Sequence, residues 1–283
     1  MPLFSVIIAT YNRSRVLSHA INSVLSQTFR DWELIIIDDG STDDTVLLLE
    51  EFLIDSRIKF YSQVNVGVSS SRNTGSKIAI GKYLIFLDSD DFLLPNCLSQ
   101  ISSKMRENPD YFVWGVRLVS QNKVVEVIPK IDAYYSLLTG TYAIKRKVFL
   151  ELKGFDEKLN FGENTELFHR AKIHHLSYRY LDFLGLVYNY NEYGGSKNLQ
   201  NMIDSNLIIL EKHNDTLSSH SKRLYHQVIG VNQLRFRRFT EARFHLWKAF
   251  SYNPWKFKTL ARFAISLWPW LAKKFYSKKV KFQ

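Results

Sequence analysis

Residues 83–91 read YLIFLDSDD, and residues 32–40 read WELIIIDDG. Each is a short apolar run, rich in β-branched or aromatic residues, that ends abruptly in acid. Four to eight apolar residues bounded by turn-formers suit a strand buried on both faces. A third run, FSVIIAT at 4–10, ends in Thr10, Tyr11 and Asn12, and IKFYSQ at 58–63 reads as a fourth strand. Between them, SRVLSHAINSVLSQT places Val16, Leu17, Ala20, Ile21, Val24 and Leu25 at helical spacing, with Ser14 as the expected cap. STDDTVLLLEEFL predicts a second helix, and GVSSSRNTGSKIA a loop entering a third. Strands alternating with helices imply parallel crossovers and a sheet covered on both faces.

Ligands of such sheets bind beyond the carboxyl ends of the strands. There the chain gathers Thr10 and Tyr11, then Asp38 and Asp39, then Asp88, Asp90 and Asp91. Like charges at the end of a buried strand repel, and no cation follows them directly. They read either as turn and cap residues or as hard oxygen ligands for Mg²⁺ or Mn²⁺. Asp38 and Asp39 cannot both cap, so one is expected to be free for a ligand. Arg72 reads as a surface ion-pair partner or as a clamp for a diphosphate.

The 283 residues suffice for one large α/β domain with an appendage, or for two small domains. Residues 221–283 hold fifteen Lys/Arg and one acid, Glu241, so the +11 formal charge arises entirely there; residues 1–220 come to −3. That split predicts a folded body and a basic tail that meets an anionic surface. Cys97 is the only cysteine, which excludes an internal disulfide and fits a reducing compartment. The amino terminus MPLFSVIIATYN has an apolar run but no basic segment before it and no small-residue cleavage site, so it reads as a first strand and not a signal peptide. No stretch reaches the ~18 apolar residues of a membrane-spanning helix. The histidines show no metal-ligand spacing. From 110 on, YFVWGVRLVS and KVVEVIPK predict a hairpin, and from about 200 the pattern is helical, with FTEARFHLWKAFSYNP stopping at Pro254.

In this order, SVIIATYNR, SVLSQTFRDWELIIIDDGSTDDT, NVGVSSSRNTG, YLIFLDSDD and GFDEKLNFGENTEL resemble glycosyltransferase family 2, the inverting nucleotide-sugar transferases. The resemblance covers roughly residues 3–195. It implies an α/β GT-A fold: a Rossmann-like, mostly parallel sheet covered by helices, here with a C-terminal helical extension. The expected domains are 1–198, split into a nucleotide-sugar half (1–108) and an acceptor half (109–198), and a basic aromatic extension at 199–283. It also implies roles. Thr10 and Tyr11 border the nucleobase, Asp39 accepts its imide proton, and Arg72 reaches the diphosphate or donor sugar. Asp88 and Asp90 form the D-x-D pair, with Asp90 the direct ligand of Mg²⁺ or Mn²⁺ and Asp88 holding ribose or sugar.

One position departs from the family. The usual Glu-Asp is Glu163-Asn164 here, and an amide accepts no proton at neutral pH. The general base then falls to Glu163, with Glu166 second; both also suit the first turn of a helix for its dipole alone. The function implied is sugar transfer from a UDP-linked donor to an acceptor hydroxyl in cell-envelope glycan or glycolipid synthesis. A nucleotide-sugar-binding homologue without turnover is the alternative. A nucleic-acid binder is disfavoured, because the basic tail lacks a recognisable module and the body is acidic. The tail carries Trp255, Phe257, Phe263, Trp268, Trp270, Phe275 and Tyr276 among Lys256, Lys258, Arg262, Lys273, Lys274, Lys278, Lys279 and Lys281. That mixture predicts a peripheral segment at the cytoplasmic face of an anionic membrane, near a lipid-linked acceptor. The competing expectation is a helical lid with its lysines in water.

Overall fold

The computed structural model describes residues 1–121, 123–130, 137–189 and 198–276. Four strands form the parallel core: β1 (Phe4–Thr10), β2 (Trp32–Asp38), β3 (Ile58–Ser62) and β4 (Tyr83–Asp88). They lie in the order β3-β2-β1-β4. Alternation along each strand feeds two cores. Val6, Ile8, Leu34, Ile36, Ile85 and Leu87 face one side; Ile7, Ile35, Ile37, Leu84 and Phe86 face the other. That is why these runs are apolar throughout rather than alternating. The register sets Thr10 beside Asp38 and Ala9 beside Asp88, which brings the polar strand ends to one rim.

Helices α1 (Leu17–Leu25), α2 (Thr45–Glu50) and α3 (Val68–Ile78) make the crossovers. Two local expectations change. Ser14 does not cap α1, which starts three residues later; its hydroxyl donates to Asp43 Oδ2 at 2.8 Å. The segment read as a loop around Arg72 is helix from Val68 onward. Ser and Gly are poor helix formers, but here they are needed small. Ser69, Ser71, Gly75 and Ser76 are buried, and a Cβ on Gly75 would sit 2.6 Å from Ile7 Cγ2. The helix therefore lies close on the sheet.

The sheet continues through β8 (Tyr142–Lys145), antiparallel to β4, then β6 (Tyr111–Ser120), β9 (Tyr178–Asn189) and the short β5 (Phe92–Leu93). The predicted hairpin is present, with β7 (Lys123–Val127) antiparallel to β6. Three helices belong to this half: α4 (Cys97–Ser102), α5 (Arg146–Glu151) and α6 (Glu163–Ile173). Cys97 is buried, and burial pushes its thiol well up.

The chain divides into two compact units. The first is Met1–Glu157 with Glu163–Asn191; the second is Lys158–Gly162 with Glu192–Gln283. Lys158–Gly162 thus joins the helical unit, not the half at 109–198 to which the sequence assigns it. There Leu159 packs with Ile209 and Leu217, and Asn160 N donates to Ser205 Oγ at 3.2 Å. The helical unit comprises α7 (Leu199–Lys212), α8 (Ser219–Arg235), α9 (Phe239–Tyr252), α10 (Phe257–Leu267) and α11 (Pro269–Phe275). Among the described residues no helix is long and apolar enough to cross a membrane. Lys278, Lys279 and Lys281 lie outside the described residues.

Candidate active site

Arg72 is the centre of the rim. It rises from the second turn of α3 and is only 3% exposed. Its Nη2 lies 2.5 Å from Asp88 Oδ1 and 3.2 Å from Thr139 Oγ1, and its Nη1 lies 2.9 Å from Glu163 Oε1. Burial alone would lower its pKa, but Asp88 and Glu163 outweigh that and raise it, so the cation is permanent. The loop placement expected for Arg72 is thus corrected to a buried helical one. One planar fork joins the end of β4 to the start of α6, a geometry a lysine cannot reproduce.

The acid cluster is less charged than its sequence suggests. Asp88 is paired with Arg72. Asp91 is buried; its Oδ1 accepts the Asn189 amide at 2.8 Å, and its Oδ2 has no partner among the described residues. Burial, then the neighbouring Asp88, push its carboxyl up to about 9 against the Asn189 bond, which favours its protonated form. Asp88 closes β4 and Asp90 follows two residues later, so both stand at the same strand end. Mg²⁺ characteristically takes one or two carboxylates and completes its shell with phosphate oxygens and water, so this donor set fits such an ion.

Neither acid of the Asp38-Asp39 pair is idle, contrary to the expectation that one would be free. Asp38 accepts from Ser41 N and from the hydroxyls of Ser41 and Ser62, closing the turn after β2. Asp39 accepts from Gln63 Nε2 at 2.8 Å, Val66 N at 3.1 Å and Gly67 N at 2.8 Å. Its own N–H donates to Thr10 O at 2.8 Å, which ties it to β1. Thr10 is 3% exposed, and its hydroxyl has no partner among the described residues. Tyr11 is 46% exposed and offers an open ring beside it.

Glu163 and Glu166 part ways although both begin α6. Glu163 faces the rim through Arg72. Glu166 is 0% exposed and forked by Arg170, with Nε–Oε2 at 2.9 Å and Nη2–Oε2 at 2.6 Å. Arg170 also donates to Leu152 O and Gly154 O. Glu166 therefore anchors a turn inside the fold and cannot meet an acceptor hydroxyl, which corrects its candidacy as a base. Asn164 is buried between them. The Tyr142 hydroxyl donates to its Oδ1 at 2.7 Å, and its Nδ2 donates to Thr139 Oγ1 at 3.2 Å. Burial above all holds the Tyr142 phenol well above its usual range.

Thr139 and Tyr142 complete the network, and sequence reading passed over both. Tyr142 sits on a buried strand position, a signal for core and not for a site. Thr139 carries no signal at all. Asn73 was also passed over. Its side chain brackets Phe155, accepting from Phe155 N at 2.8 Å and donating to Phe155 O at 3.0 Å, which fixes the turn before α6 against α3.

Comparison with known proteins gives the family of the chain. The family model described as glycosyl transferase family 2 matches residues 5–172. The chain belongs to that family. Among curated relatives, it is 38% identical over 140 residues to the Escherichia coli UDP-Glc:alpha-D-GlcNAc-diphosphoundecaprenol beta-1,3-glucosyltransferase WfgD, a match spanning 48% of this chain and 55% of that enzyme. The chain thus spans about half the length of that relative, and less of several others. Among solved structures it is similar to S. aureus TarS 1-349 in complex with UDP-GlcNAc: TM-score 0.64, 22% identity, 94% of this chain and 80% of that one. It is also similar to the mannosyltransferase PcManGT of Pyrobaculum calidifontis in complex with GDP-Man and Mn²⁺: TM-score 0.62, 14% identity, 98% of this chain and 84% of that one. These two likenesses establish the GT-A fold of the family for this chain.

Proposed function

We propose that this glycosyl transferase family 2 chain moves a sugar, with inversion, from a UDP-linked donor to a hydroxyl of a lipid-linked acceptor in cell-envelope glycan synthesis. The observation that carries the reading is Arg72 joining Asp88 to Glu163. A donor-side acid and a candidate base are thereby held on opposite ends of one cation at the rim where α/β sheets bind ligands. The lipid-linked acceptor follows from the relative WfgD, whose name specifies a diphosphoundecaprenol substrate. The placement is peripheral, at the cytoplasmic face of the membrane.

Tyr11 stacks on the uracil, with Thr10 beside it. Asp39 takes the imide proton as a fourth donor, within the four acceptor positions of a carboxylate. Its three existing bonds fix the carboxylate before the base arrives. Asp88 holds the ribose or donor sugar, and Asp90, with Asp88, would hold Mg²⁺ or Mn²⁺. That ion supplies charge neutralisation for the departing diphosphate. Glu163 accepts the acceptor's hydroxyl proton as the oxygen forms its bond to the anomeric carbon and the anomeric carbon–diphosphate bond breaks. Arg72 meets the charge that builds on the leaving group.

A second reading, donor binding without turnover, is favoured by one observation: Asn164 occupies the position of the family's usual base. Both readings are tested by incubating the purified chain with UDP-sugars, Mg²⁺ or Mn²⁺ and a short-chain lipid diphosphate glycan, with product detected by mass spectrometry. Transfer with inverted anomeric configuration is the expected result. Tight donor binding without product would leave only the second reading.

A further inference from the structure

We infer that the outward face of α10, continued through α11, is a docking surface for an anionic phospholipid leaflet. A surface helix of a protein in water turns its apolar side inward. In α10 the fully buried positions are instead the small polar Thr259 and Ser266. Thr259 Oγ1 donates to Gln227 Oε1 on α8 at 3.2 Å, and Ser266 O accepts from Arg243 Nε on α9 at 3.2 Å. Phe263 and Ile265 also pack inward. Phe257, Leu260 and Leu267 recur at helical spacing on another face and are 78%, 39% and 43% exposed. The helix thus spends polar residues on its interior contact and presents its larger apolar stripe to the outside.

The rim of that stripe names its occupant. Trp255, Trp268 and Trp270 are exposed at the ends of α10 and the start of α11. Indole rings of this kind settle at the boundary between headgroup and acyl chain. Lys256, Lys258, Lys273 and Lys274 are exposed around them, and residues 221–283 hold a single acid, Glu241. An apolar protein partner would need complementary acid to approach this face. A leaflet of anionic lipid provides both an apolar medium and the counter-charge, and a helix lying in its plane needs no bilayer-spanning length. Pro269 at the start of α11 breaks the direction of the chain, so the two helices form a bent apron and not one rod.

This inference rests on the membrane placement above and not on the transfer chemistry. Binding is therefore read without donor or acceptor, and its failure would leave transfer to a soluble acceptor mimic untouched. The full-length chain is sedimented with vesicles of phosphatidylcholine alone and of phosphatidylcholine mixed with phosphatidylglycerol, at low and high salt. Expected is binding to the phosphatidylglycerol vesicles, weakened by salt. Replacing Phe257→Ser, Leu260→Gln and Leu267→Gln together should weaken it at least about tenfold. Replacing the four lysines with Gln should cost about fivefold per lysine and abolish the preference for anionic lipid. All seven positions are exposed, and an unchanged circular dichroism melt confirms that each variant is folded. No sedimentation of the wild-type chain at low salt, or sedimentation of both variants equal to that of the wild type, would overturn the inference. So would a self-association of the wild type that the apolar substitutions dissolve, since the face would then belong to a second copy.

Discussion

Arg72 Nη1 and Glu163 Oε1 are 2.9 Å apart although 91 residues separate them in the chain. The same guanidinium holds Asp88. The acid that would meet the donor and the acid that would deprotonate the acceptor therefore share one charge. Whatever draws Arg72 toward a diphosphate loosens its hold on Glu163. Under the proposed function, donor arrival would therefore release a carboxylate.

Arg72→Lys tests that coupling. A lysine keeps the charge but reaches only one carboxylate at a time. Transfer should fall by at least about 10²-fold, a loss typical of removing one charge-stabilising group. Steady-state kinetics with varied donor check it; a variant within a few-fold of wild type would mean the bridge is only structural.

Glu163→Gln and Glu166→Gln should fail in different ways. Loss of a general base costs about 10²–10⁴ in rate, so Glu163→Gln should lose transfer, keep donor affinity nearly unchanged, and melt near the wild-type temperature. Glu166→Gln leaves the partly buried Arg170 without its counter-charge. Breaking a buried pair on one side costs about 3–5 kcal/mol, so this variant should melt well below wild type while its folded fraction turns over. Calorimetry beside single-turnover rates separates the two; the reverse pattern would return Glu166 to the chemistry.

Asn164→Asp should give no gain in rate. The side chain is buried, its Oδ1 already accepts the Tyr142 hydroxyl, and its Nδ2 serves Thr139. An aspartate there loses the donor to Thr139 and adds a second carboxylate beside Glu163. A large rate increase in the same assay would instead reveal the native chain as an impaired enzyme.

The metal prediction separates Asp90 from Asp88. Asp90→Asn should abolish the divalent-ion dependence of donor binding, at a cost of at least about 10²-fold in transfer. Asp88→Asn should weaken donor binding and also lower the melting temperature, because Arg72 loses a partner. Titration calorimetry with and without Mn²⁺ reads both. Full activity of Asp90→Asn would remove the ion from this site.

The helical unit should be acid-sensitive. His226 and His245 face each other with their Nδ1 atoms 2.9 Å apart, an arrangement that needs at least one neutral ring. Burial, then His245, then Lys248 and Lys222, depress His226 to about 4; burial also lowers His245. Folded His226 therefore binds fewer protons than the unfolded ring between pH 6.5 and about 4. Its contribution is complete above 6.5 and drains away as pH falls toward 4. Melting at pH 5 should lie below that at pH 7, and His226→Gln should flatten the difference. An identical pH slope in the variant would place the sensitivity elsewhere.

The strands and their acidic ends were legible because the information is local. A run such as LIIID carries its own burial, and its acid marks the rim. Helix α3 was harder, because Ser, Asn and Gly weaken helix propensity and only contact with the sheet makes them favourable. The choice between Glu163 and Glu166 could not be made from one turn of helix, since it depends on which side of α6 meets Arg170. The network through Thr139 and Tyr142 arises from long-range closure that no spacing announces. Likewise, the lone pairs of Asp38 and Asp39 are claimed by Ser62, Gln63, Val66 and Gly67, more than twenty residues on.

Gly75 has no functional group, yet it sets the altitude of Arg72 above the strands. The two residues are one turn apart on α3, and the helix descends until the bare Cα of Gly75 meets Ile7. A methyl group there would sit 2.6 Å from Ile7 Cγ2, so either Ile7 or the turn that carries Arg72 must give way. The rim is thus calibrated by a missing side chain. Any effort to retune this site, by selection or by design, is bounded by a residue that touches none of the reacting atoms.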